Sequence, residues 1–145
     1  MIEAKFNTQV CTTCEQSERL LALGLKKETV DMYLTRCFVG NNGTPMVFIG
    51  TTHKPSTVLF SKEDIPAWSL HRLFAMISDA DTFVDTDGYE WDSSILVSRQ
   101  IVKFVAFPVV VQPFNNDNLY DNLIDCIEWL IKENHFNKQY LNESL

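Results

Sequence analysis

The sequence predicts an α+β fold: a single domain over residues 1–145, with a small antiparallel sheet packed against about four helices. Three observations carry this. Apolar residues recur at helical spacing after Ser69 and again, over more than three turns, after Asn118. Between those runs lie segments rich in β-branched and aromatic residues, joined in one place by Asp87-Gly88, a strong signal for a tight hairpin turn. Ahead of both, Thr13 followed by Gln16 has the form of a capping box, in which two side chains satisfy free backbone donors at a helix start.

In chain order, residues 2–9 predict a short strand. The Thr13 box opens a helix to about Leu23, with Gly24 as its left-handed stop. Val30, Tyr33, Leu34 and Cys37 fall at i, i+3, i+4 and i+7, so Lys27–Arg36 reads as a second helix and residues 13–36 as a helical hairpin. Gly40-Asn41-Asn42-Gly43 is a turn cluster, and Pro45–Gly50 with Thr57–Phe60 make Gly40–Ser61 a hairpin or extended excursion. Ser69 caps a third helix, with Trp68 before the cap and Leu73 four inside it forming a hydrophobic staple. Leu70, Leu73, Phe74 and Ile77 are its buried stripe.

Phe83-Val84 and Tyr89–Trp91 flank the Asp87-Gly88 turn. Ile95–Ser98 and Ile101–Val111 read as strands, the second limited by Pro108 to an edge or a break. Asn118 caps the final helix, with Asp121 in its first turn, Lys132 near its end and Asn134 as its stop. Leu119, Tyr120, Leu123, Ile124, Ile127, Leu130 and Ile131 form its apolar face.

Composition bounds function. With 46% hydrophobic and 12% aromatic residues the chain has material for a packed core, which excludes general disorder. A net charge of −7 argues against coating nucleic acid, an activity that rests on basic side chains meeting phosphates. No apolar run approaches the roughly 20 residues needed to cross a bilayer, and Met1–Val10 lacks a leader's apolar block. The expectation is a cytoplasmic protein whose four cysteines, Cys11, Cys14, Cys37 and Cys126, are reduced thiols.

A family resemblance rests on several motifs in order. Glu15-Gln16-Ser17 with Leu20-Leu21, Glu28-Thr29-Val30-Asp31-Met32 and Pro66-Ala67-Trp68-Ser69-Leu70 come first. Tyr120-Asp121-Asn122-Leu123-Ile124, Glu128-Trp129-Leu130-Ile131 and Phe136-Asn137 through Tyr140-Leu141 follow. Together they resemble an uncharacterised family of small proteins of Bacteroides-type gut bacteria, common in prophages and other mobile elements. The resemblance covers about half of the chain and implies a phage or mobile-element accessory protein in a bacterial host; it carries over no activity. Gly40–Ser61 matches none of its motifs, and Cys14 stands where the motif has Lys.

Several constellations bear on chemistry. Cys11 and Cys14, three apart, supply two of the four ligands a zinc site needs, so a thiol metal-binding protein is an alternative function; no second such pair exists, and Cys37, His53, His71 or Cys126 would have to come close to complete it. Asp85–Gly88 resembles part of a calcium loop, but that alignment puts Phe83 and Ser94 at ligand positions requiring carboxylates, so a hairpin turn explains it better. His53, His71 and His135 are scattered, and no nucleophile elbow, phosphate loop or dinucleotide fingerprint occurs. No catalytic or cofactor-binding residue is assigned, and a non-enzymatic protein without a cofactor is expected.

Interaction is the remaining class. Residues 117–133 carry Asp117, Asp121, Asp125, Glu128 and Glu133 against Lys132, a net −4. The ordinary reading is the solvated side of an amphipathic helix; the sharper one is a face that mimics nucleic-acid phosphates and inhibits a DNA- or RNA-binding protein. Trp91 is the tryptophan best placed for an exposed interface anchor, Trp68 and Trp129 being assigned to packing. An edge strand around Val109–Val111 is open to pairing with a partner or a second copy if the fold leaves it uncovered. The leading expectation is action by contact with another protein.

Overall fold

The computed structural model describes residues 9–38, 45–51, 65–81, 83–84, 86–106 and 110–143. The strand expected at 2–9 (save Gln9), the segment 57–60 and His53 lie outside them. The architecture is α+β, as the sequence predicts.

Helix α1 (Cys14–Ala22) begins at the Thr13 capping box: Thr13 Oγ1 accepts from the Gln16 amide while Gln16 Oε1 accepts from the Thr13 amide. It ends at Gly24, whose φ of +102° suits a residue without Cβ; the Gly24 and Leu25 amides donate to Leu21 and Leu20 carbonyls, a Schellman closure. The helical hairpin over 13–36 does not form. Lys27–Thr29 is one turn of 3-10 helix, and Met32–Phe38 is strand β1. Met32, Tyr33 and Leu34 have bulky side chains suited to a pleated surface, and β1 gains ladders on both sides, which no isolated helix could match.

Strand β2 (Pro45–Thr51) pairs with β1 from Met32↔Thr51 to Phe38↔Pro45, and β3 (Ile65–Ala67) pairs along its other edge. The expected strand at Pro45–Gly50 therefore exists, but its partner is the segment predicted to be helical. A small cluster of Cys11, Leu34 and Ala67 anchors this sheet, in the order β2-β1-β3.

Helix α2 (Leu70–Ser78) starts at Ser69, whose Oγ accepts from the Arg72 amide. Trp68 and Leu73, the expected staple, are both fully buried; Met76 joins Leu73 and Ile77 inside, while Leu70 and Phe74 are half-buried. Strands β4 (Phe83–Val84) and β5 (Glu90–Trp91) form the Asp87-Gly88 hairpin, with Gly88 at φ +84°.

The second larger sheet comprises β6 (Ser94–Ser98), β7 (Ile101–Ala106) and β8 (Val110–Phe114), in that spatial order and antiparallel throughout. The expected strand over Ile101–Val111 is thus two strands, with Pro108 in the interval between them and Pro113 on edge strand β8. Helix α3 (Leu119–Lys132) is capped by Asn118 Oδ1 and stops at Asn134, which takes φ +62° while the His135 amide reaches the Leu130 carbonyl. Its face of Leu123, Ile124, Ile127 and Leu130 is fully buried with Val102 and Phe104 of β7. Three α-helices occur among the described residues, one fewer than expected, because the second became β1.

Candidate functional site

The acidic helix face is largely turned to partners within the protein. Arg19 of α1 sets one guanidinium nitrogen 2.5 Å from Asp125 Oδ1 and 2.7 Å from Glu128 Oε2; Lys132 approaches Glu128 Oε1 at 3.3 Å. Asp121 Oδ1 accepts from Gln16 Nε2 at 2.8 Å, so the residue that completes the Thr13 capping box also ties down the first turn of α3. Asp117 and Glu133 remain exposed near opposite ends of the helix. The run of free carboxylates that a phosphate-mimicking face needs is not assembled from these five. Arg19 lies more than a hundred residues away in sequence, and no spacing rule connects it to α3.

Hydrogen bonding from Arg19 holds the Glu128 carboxyl below its usual range against the opposing effect of desolvation, with Lys132 adding to the same direction. The carboxylate therefore contributes stability above the ordinary carboxylate pKa and loses it as pH falls through its lowered folded value. Replacing Arg19 with Met is expected to cost about 0.5–1 kcal/mol at pH 7, a modest sum because water screens these half-exposed groups. The difference from wild type should shrink below about pH 4. Urea unfolding at pH 7 and pH 3 measures it, and an equal penalty at both would refute an electrostatic origin.

Cys11 and Cys14 lie near each other, as the electrostatic effect of Cys14 on Cys11 shows, and the side chain of Cys37 lies outside the described residues. Cys11 is buried, and burial, with Asp31 and Cys14 adding to it, pushes its pKa up to about 11; Cys14 is half-buried. Cys126 sits inside α3, where burial pushes it up to about 12. Both shifts favour the neutral thiol over a free thiolate nucleophile. Among the described residues no group of three or more His, Cys, Asp or Glu side chains is placed to hold a metal ion.

His71 is exposed on α2, and His135 stacks on Phe83 with ring centroids 3.7 Å apart. Ser69 is occupied structurally: its hydroxyl donates to Asp31 Oδ2 while accepting from the Arg72 amide. An open groove of about 660 Å³ runs past Lys26, Glu28, Arg72, Met76 and Tyr140. Its charges are mixed. Tyr140 donates its hydroxyl proton to Asp79, which raises its pKa.

Trp91 is half-buried and packs against the main core, Trp68 is enclosed, and Trp129 packs edge-on or tilted against Phe104 and Phe114. Exposed large apolar residues lie elsewhere: Val10 before α1, Val84 and Tyr89 at the β4–β5 hairpin, and Leu96, Val97 and Val111 together on the β6–β8 sheet. Val102, Phe104 and Ala106 point inward, so the alternate residues of β7 and their cross-strand neighbours face outward. That outer face presents Leu96, 56% exposed, Val111, 54% exposed, and the exposed Pro113, with Ile101 and Val105 half-buried between them and Lys103 as its charge. The sequence reading found the edge at Val111 but missed Leu96, because alternation shows which residues share a face and not which face is covered.

Comparison of the chain with protein-family models, with curated proteins and with solved structures finds no match.

Proposed function

We propose that the chain is a non-enzymatic accessory protein acting by contact with another protein, in the bacterial phage or mobile-element setting that its motifs imply. The outer face of the β6–β8 sheet carries this reading. Single exposed apolar residues are ordinary, but Leu96, Val105, Val111 and Pro113 lie on one rigid face, backed by a core that spans β7 and α3. Sheet faces hold side chains in fixed positions, which suits a partner's complementary surface. No helix among the described residues is long and apolar enough to cross a membrane.

The test is affinity capture from the bacterial host with the wild-type chain and with Val111→Asp. Val111 is mostly exposed, so this change is expected to alter stability by no more than about 0.5 kcal/mol. A protein retained reproducibly by wild type and lost by V111D supports the reading. A protein retained equally by both, or none retained at any salt concentration, overturns it.

A further inference from the structure

We propose that β6 is a self-pairing edge, through which two copies of the chain join antiparallel about a two-fold axis at Leu96 into one six-stranded sheet. Among the described residues, β6 is hydrogen-bonded to β7 alone, so its other edge is open. Its register fixes what that edge offers. Ser98 and Ile101 close a two-residue turn, so Ser94, Leu96 and Ser98 direct their backbone groups to β7 while Ile95 and Val97 direct theirs outward. An extended strand is the only element that satisfies such a row of donors and acceptors.

The strand also reads the same in both directions. Ser94-Ile95-Leu96-Val97-Ser98 is polar, branched, Leu, branched, polar, the symmetry an isologous contact needs. Antiparallel self-pairing centred on Leu96 sets Ile95 opposite Val97 of the second copy, the two residues with free backbone groups. It sets each Leu96 against the other on the outer face. Val97 is 44% exposed although it sits on the core side of the sheet, and the second copy's Ile95 would cover it.

Charge selects the same arrangement. A chain of net charge −7 repels its copies, yet β6 contains no ionisable side chain. Asp92 precedes the strand and Arg99 follows it; both are exposed, and neither forms an ion pair among the described residues. Antiparallel pairing brings Asp92 of each copy to the end bearing Arg99 of the other. Two other edge strands contrast with this one: β3 carries Pro66 and β8 carries Pro113, residues that lack a donor and blunt pairing, whereas β6 has no such guard.

This inference concerns the strand's open edge and stands apart from the partner-binding reading of the outer face. A five-residue pairing is small, so a dissociation constant on the order of micromolar to tens of micromolar is expected. In sedimentation equilibrium the average mass should rise from 16.7 kDa toward twice that as concentration increases. Leu96→Asp, which sets like charges against each other at the axis, and Val97→Pro, which removes an outward N–H, should each hold the chain monomeric with an unchanged circular dichroism spectrum. Asp92→Arg and Arg99→Asp should each weaken the dimer, and the double exchange should restore it. A wild-type chain that is monomeric throughout, or a dimer indifferent to L96D, overturns the proposal. A monomer whose captured partner still depends on Val111 removes this proposal alone, and a dimer without any partner removes the other alone.

Discussion

Substituting Trp68 by alanine is expected to cost about 3–5 kcal/mol, the range for removing a large aromatic from a close-packed interior. Trp68 is fully buried beside Leu73 and belongs to the core that unites α2, α3 and β7. Its polar atoms are equally engaged. The indole N–H donates to Thr29 Oγ1 at 2.8 Å, its backbone N–H donates to Thr12 Oγ1, and its carbonyl accepts from the Thr12 amide. The chain before α1, the 3-10 turn and the start of α2 thus meet at one residue. Trp68→Phe should recover much of the packing while leaving the Thr29 bond unmade, and Thr29→Val, which strands the indole donor, should cost about 1–3 kcal/mol. Combined, W68F and T29V should cost less than the sum of the two, because both remove the same hydrogen bond. Urea unfolding of wild type and the four variants measures this; a W68A penalty under about 1.5 kcal/mol would contradict the central position given to Trp68.

Local chemistry was legible and pairing was not. The caps at Thr13, Ser69 and Asn118, the stops at Gly24 and Asn134 and the Asp87-Gly88 turn were all readable, because each depends on atoms within a few residues. The β1 segment was misread because Val30, Tyr33, Leu34 and Cys37 happen to satisfy a helical period, while its ladders are made with residues 45–51 and 65–67. The same limit hid the candidate surfaces. Five carboxylates along the last helix suggested an open acidic face, yet Arg19 and Gln16, both on α1, fold onto three of them. Trp91 looked like an exposed anchor in a hairpin, and the core reached out to it. Leu96 and Val97 carry no mark within the strand expected at Ile95–Ser98, yet β6 lies at the edge of its sheet and both are exposed.

Asn122→Leu is expected to destabilise the fold by about 3 kcal/mol, although a polar residue on an amphipathic helix ordinarily faces water. Asn122 is fully buried. Its Nδ2 donates to the Gln100 carbonyl at 2.5 Å and to the Asn116 carbonyl at 3.2 Å, and its Oδ1 accepts from the Asn116 amide at 2.6 Å. Leucine keeps the branched shape, with greater bulk, but leaves three backbone groups without this partner, and an unmet buried polar group costs more than the bond was worth. Asn122→Asp separates chemistry from shape. The aspartate keeps the acceptor for Asn116 N–H, but its second oxygen confronts two carbonyls in a buried setting, so its folded pKa must lie above the unfolded value. A raised folded pKa means that N122D is most stable below the unfolded pKa, where the acid still donates, and loses stability as pH rises through the folded value. That slope is opposite to the one Glu128 imposes, so comparison of N122D and wild type from pH 3 to pH 7 distinguishes them. Gln100 follows Arg99, the turn residue at φ +60° where glycine is the usual occupant, so Asn122 also steadies a turn that its own sequence strains. Amide exchange in N122L should therefore accelerate first at Gln100 and Ile101, and exchange there no faster than in the centre of α3 would refute the coupling.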